Sequence, residues 1–144
     1  MQEQWTRWEP IAGLSQKYYI ESISDTIEGF KILLFDANDR EKKILVSFPN
    51  SVDAYRSTDE SYILLTVSNL DKVYGDKFYG EWTFFKIKNS EYLKWISVQS
   101  YSSSDFFNFT HFCFLATDSV VDVVTNYEPV VTHISGKSEN NPQQ

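Results

Sequence analysis

A chain of 144 residues with 11 Phe, 9 Tyr, 4 Trp and 42% hydrophobic residues has the length of one domain and enough apolar material for a packed core, which excludes a disordered chain. A formal net charge of −7 sets it against nucleic acid and anionic membrane, because gripping phosphates takes clustered Lys and Arg. A single cysteine, Cys113, excludes an internal disulfide and argues against a thiolate metal site.

The first residues, MQEQWTRWEPIAG, lack the unbroken apolar run of a secretory signal, and no apolar run approaches a membrane span. A soluble, cytoplasmic protein is the expectation. KYYIESIS (17–24), FKILLFD (30–36) and KKILVSF (42–48) are rich in aromatic and β-branched residues and read as three strands of an antiparallel meander. Residues 25–29 and 37–40 supply their turns, the second with Asn and Asp, which tolerate left-handed backbone. Pro49 ends the third strand because it cannot donate to a ladder. YILLTV (62–67) reads as a further strand or buried segment, 69–80 as a polar loop and EWTFFKIK (81–88) as a strand. Ser90 is placed to cap a helix in which Tyr92, Trp95 and Ile96 share an apolar face. THFCFLAT (110–117) and VVDVVT (120–125) flank Asp118-Ser119 as a hairpin, and PVVTHI (129–134) suits an edge strand that tolerates its leading Pro.

These elements sum to an α+β fold: a mostly antiparallel sheet of six to seven strands with one or two helices packed on it, the second helix N-terminal. One domain over residues 1–134 is expected, with a disordered polar tail at 135–144.

Chemistry-bearing motifs are scarce. No HExxH, paired CxxC, GxSxG or phosphate-cradling glycine loop occurs, so neither enzyme, cofactor nor metal is expected. His111 and His133 fall in strand-like runs and read as half-buried strand residues, and Cys113 as a small buried hydrophobe. Tyr101, Phe106, Phe107 and Phe109 read first as a plug for one end of the core and second as anchors for a partner. Charge is more telling. Between Lys94 and Lys137 there is no Lys or Arg, against Asp105, Asp118, Asp122 and Glu128, a net of −4. Residues 44–71 set Arg56 against Asp53, Asp59, Glu60 and Asp71, a net of −3. An ordinary surface intersperses both signs, so these stretches suit a basic protein partner. Arg56, near Asp53, Asp59 and Glu60, would partly neutralise them if the segment were helical.

The segments YYIESISDTIEGFKILLFD, FPNSVDAYRSTDES, EWTFFKIKNSEYLKWISVQS and HFCFLATDSVVDVVTNYEPVV together resemble a group of small immunity (antitoxin) proteins from polymorphic and contact-dependent toxin systems of Bacillus-like bacteria. The resemblance covers most of residues 17–134 and implies a cytoplasmic protein that binds and blocks a cognate toxin, commonly a nuclease. An acidic inhibitor fits a basic cleft by charge complementarity. On that reading Asp53, Asp59, Glu60, Asp118, Asp122 and Glu128 are charge contacts, and Tyr55 and Tyr127 are aromatic anchors. Two alternatives stand beside it. One is a small-molecule-binding or enzymatic domain with a pocket lined by Trp82, Trp95, Tyr101 and His111. The other is a subunit of a homo-oligomer paired through residues 129–134.

Overall fold

The computed structural model describes residues 2–135. The polar stretch expected to be disordered lies outside them, apart from Ser135, which closes the last strand. The strands are β1 (Gln4–Arg7), β2 (Tyr18–Thr26), β3 (Gly29–Asp36), β4 (Asp39–Phe48), β5 (Ala54–Asp59), β6 (Phe84–Lys88), β7 (Thr110–Leu115), β8 (Ser119–Thr125) and β9 (Val130–Ser135). The α-helices are α1 (Leu64–Tyr74), α2 (Asp76–Gly80) and α3 (Glu91–Gln99). Among the described residues the architecture is α+β, with nine strands divided between two antiparallel sheets where one sheet was expected. Sheet A runs β1-β6-β7-β8-β5 and sheet B runs β2-β3-β4-β9.

The meander β2-β3-β4 follows its alternation. Phe30, Ile32 and Leu34, with Ile44, Val46 and Phe48, point to one face and are buried, while Lys31, Leu33, Leu45 and Ser47 between them are half-exposed. Gly29 makes the tight β2–β3 turn at φ +115°, where a Cβ would sit 2.5 Å from the Phe48 carbonyl oxygen, so a side chain is excluded. Phe84, Phe112, Phe114, Val121 and Val123 of sheet A meet that face, and Trp8, Ile11 and Leu14 of the N-terminal segment close its margin. The outer face of sheet A carries a smaller cluster of Phe85, Ile87, Cys113, Leu115 and Val120 beneath Trp5, Ile63 and Leu70. The layers are therefore sheet B, sheet A and a helical layer.

Lys17 ties them together. Its ammonium donates to the carbonyls of Tyr79 (2.9 Å), Trp82 (2.7 Å) and Leu115 (2.6 Å), joining the start of sheet B to α2 and sheet A. Burial lowers its pKa to about 8. The three carbonyls occupy all three of its N–H donors.

Four local readings change. Residues 62–67 are not a strand: Asp59 caps a 3-10 turn at Glu60–Tyr62, and α1 then sets Ile63 and Leu70 on the outer cluster at helical spacing. The stretch read as a polar loop continues α1 into α2, interrupted at Gly75 with φ +87°. The segment around Arg56 is a strand rather than a helical cap, so Arg56 lies across from Asp122 instead of pairing with Asp59 and Glu60. The N-terminal element is a strand on the edge of sheet A, not a helix.

A buried polar network beside an acidic edge

Between their polar ends, Thr110, Ser119 and Thr125, strands β7 and β8 are apolar apart from His111 and Asp122. Both side chains point to the outer face of sheet A, where α3 begins. Ser90 caps that helix, its Oγ accepting from the Leu93 N–H at 3.1 Å, as its position before Glu91 implies. The same oxygen lies 2.6 Å from His111 Nδ1, and His111 Nε2 lies 2.6 Å from Asp122 Oδ1. With the carboxylate on Nε2, that nitrogen carries the proton and Nδ1 accepts from the Ser90 hydroxyl. Arg56 completes the chain, donating Nε to Asp122 Oδ2 at 2.9 Å while its guanidinium lies over Tyr92, 4.1 Å from the ring centroid. Burial pushes the Asp122 carboxyl up, but its bonds to His111 and Arg56 outweigh that and hold it below its ordinary pKa. Burial, reinforced by the Asp122 carboxylate, drives the Cys113 thiol well up, so it is a protonated core residue.

A serine, a histidine and an aspartate in one chain of hydrogen bonds invite comparison with an acyl-transfer triad. The geometry opposes that role. Ser90 is 2% exposed, His111 1% and Asp122 4%, and the Ser90 hydroxyl already has both a donor and an acceptor partner. The adjoining crevice, with Arg56, His111, Cys113 and Asp122 in its wall, holds about 40 Å³, about the volume of one or two waters rather than a substrate. The network fixes α3 on the sheet. Among the described residues, no group of three or more His, Cys, Asp and Glu side chains is arranged to hold a metal.

The expected partner-binding residues separate into three places. Asp59, Glu60 and Asp118 converge at one end of the β5–β8 pair, where the Glu60 N–H donates to the Asp118 carbonyl at 3.3 Å. Bonds from the Ser61 hydroxyl and N–H lower the Asp59 pKa. At the other end, the Asp53 N–H bonds to the Val124 carbonyl at 2.9 Å. Tyr127 lies nearby, half-buried against Phe48 with its hydroxyl on the Asn50 carbonyl, so it is largely a core residue rather than a free anchor. Tyr55 lies between, exposed on one side and packed 4.5 Å from Phe30 on the other. Two acids depart from the expectation of free surface charge. Asp122 is buried and bound to His111 and Arg56, and Glu128 pairs with Lys86 at 2.9 Å.

Around these residues lies an incompletely covered helical layer. Tyr62, Leu64 and Leu65 are exposed at the start of α1, and Trp95 and Val98 on α3. The aromatic segment expected to plug the core instead projects outward, with Tyr101 97% and Phe106 90% exposed and Tyr101 and Ser102 both at positive φ. Between α3 and β5 runs an open groove of about 510 Å³ lined by Tyr55, Arg56, Glu91, Tyr92 and Trp95. The pocket proposed from sequence does not form. Trp82 bonds to the Trp8 carbonyl within the core margin, His111 lies beneath α3, and Tyr101 faces solvent.

Sequence reasoning passed over the Ser90–His111–Asp122–Arg56 network, although a signal was present. A lone His and a lone Asp in otherwise apolar runs must find partners when buried. No protein-family model, no curated protein and no solved structure matches this chain. Among the described residues no helix is long and apolar enough to cross a membrane.

Proposed function

We propose that the chain is a protein-binding inhibitor of the immunity (antitoxin) kind, which covers a basic, nuclease-like protein toxin with its acidic outer end. The observation that carries this reading is the juxtaposition of Asp59, Glu60 and Asp118 with the exposed Tyr62, Leu64 and Leu65. Large apolar side chains bordered by carboxylates are the composition of an interface core with a charged rim. Arg56 is the one cation in residues 44–71, and Asp122 neutralises it, so the sequence around this patch holds no free positive charge. The field of such a patch speeds encounter with a cationic partner and turns away anionic ones. The sealed Ser90–His111–Asp122 network gives the domain a rigid outer layer on which to present it.

Affinity capture from the organism that encodes the chain, with the protein as bait at low salt, tests this. Recovery of a basic protein is expected, released as salt rises and lost with the triple variant Asp59→Asn, Glu60→Gln, Asp118→Asn. Binding that ignores both salt and the triple variant overturns the reading.

A further inference from the structure

Strand β5 terminates sheet A, and its six residues pair with β8 on one side in an unbroken register. Among the described residues nothing bonds to the backbone groups on its other side. The remaining sheet edges are guarded. β2 carries a register shift between Ile20 and Ser22 together with the charges of Glu21 and Asp25. β1 has four residues, and the Trp5 N–H is taken by the Tyr74 hydroxyl at 3.0 Å. β9 has His133 bound to the Ala12 carbonyl at 2.7 Å by the N-terminal segment lying beside it. β5 has no proline, lysine or bulge, and of its two charges Arg56 is already matched by Asp122 while Asp59 stands at its end, so no free charge guards its middle.

We propose that β5 is an accepting edge, along which an extended segment of a protein partner adds as a further strand of sheet A. This rests on the reading of a basic partner and names how that partner is held. Charge selects the occupant. Tyr55, Ser57 and Asp59 share one face of the strand by their alternation, and Asp53 sits in the bend just before it, so carboxylates flank the strand at its two ends. Ala54, Arg56 and Thr58 share the other, and the charge of Arg56 is matched by Asp122. Between β5 and α3 the groove with Tyr92 and Trp95 in its wall lies open beside Arg56. The added strand therefore carries a cation at each end and, in the middle of its opposite face, an apolar or aromatic side chain that enters the groove. A second copy of this chain does not fit. Two β5 strands paired antiparallel across a two-fold axis bring Asp53 of each against Asp59 and Glu60 of the other.

The probe that matches this geometry is the capped peptide acetyl-KTVWVTK-amide, whose lysines fall opposite Asp53 and Asp59 and whose tryptophan falls beside Arg56. Its control replaces both lysines by glutamate, and a third peptide is N-methylated at the two valines, which removes ladder donors while keeping charge and shape. In amide-resolved NMR titrations at low salt, the lysine peptide should shift the resonances of residues 54–59. It should bind about tenfold more tightly than the glutamate peptide. N-methylation should abolish binding. No shifts up to millimolar peptide, shifts centred on α1 or residues 101–107, or equal affinity for lysine and glutamate peptides each overturn the accepting edge. Failure here is separable from failure of the functional reading. A salt-sensitive basic partner that leaves the amides of β5 exchanging freely overturns the edge proposal alone.

Discussion

Strands β7 and β8 send Phe112, Phe114, Val121 and Val123 to one face of sheet A, and His111, Cys113 and Asp122 to the other. The first face is closed by a second sheet, Phe48 of sheet B lying edge to face against Phe112 at 5.7 Å beside the Phe84–Phe114 pair within sheet A, also at 5.7 Å. The second is closed by short helices, one of them held by hydrogen bonds through Ser90, His111 and Asp122. Packing on the inner face is distributed over many atoms. On the outer face α1 rests on the smaller cluster around Phe85 and Leu70, whereas the attachment of α3 is concentrated in a few polar atoms, leaving Trp95, Tyr101 and Phe106 exposed.

If that contrast holds, Phe114→Ala should cost about 3–5 kcal/mol through a cavity. Asp122→Ala should cost about 3 kcal/mol, by leaving the buried imidazole N–H without its acceptor while removing almost no apolar volume and letting half-exposed Arg56 turn to water. Urea unfolding measures both, and a loss under about 1 kcal/mol for Asp122→Ala would mean that packing, not the network, secures the outer face.

A smaller effect is expected at Lys17, where substitution by Met leaves three carbonyls without donors and costs about 2–3 kcal/mol. Its pH signature is specific. Because the folded pKa is lowered to about 8 from 10.5, the unfolded chain binds more protons in that interval. The Lys17 contribution to stability therefore grows between about pH 8 and 10.5, with a ceiling of about 3 kcal/mol, and is lost as pH falls through 8. Subtracting the Lys17→Met profile from that of the parent isolates it. A flat difference would show that the carbonyl cage fully offsets burial.

Ser90→Ala removes both a helix cap and the partner of His111, for about 1–2 kcal/mol, with faster amide exchange confined to α3. The least costly change is Phe106→Ser, within about 0.5 kcal/mol of the parent in stability, since its ring touches mostly water. A large loss of stability there would move residues 103–106 from exposed surface to core.

What the sequence disclosed follows from how local each feature is. The β2–β4 meander was legible because its runs are rich in aromatic and β-branched residues, with burial alternating along β3 and the second half of β4, and the turns carry Asn, Asp and Gly. Ser90 and α3 were legible because capping is decided within four residues. The division into two sheets was not, since it depends on β1 meeting β6 and β4 meeting β9, choices made between segments far apart. β5 hid because an edge strand shows water its polar side chains, so Arg56, Ser57 and Asp59 broke the apolar alternation. The network hid for a different reason: Arg56, Ser90, His111 and Asp122 come from four separate segments and form no motif along the chain. Charge counting found the acids but could not tell which were already matched, so Asp122 and Glu128 were grouped with Asp59 and Glu60.

The pairing of β4 with β9 has a kinetic consequence. Val46 meets Val131, 85 positions later, while β2, β3 and β4 pair through short turns. On the ribosome the three-stranded meander is complete long before its fourth strand emerges, leaving the far side of β4 open during synthesis of everything between. Closing so large a loop, like the pairing of Trp5 with Ile87, is a non-local event that slows folding. During that wait the half-built sheet is the species most exposed to misassociation with other nascent chains.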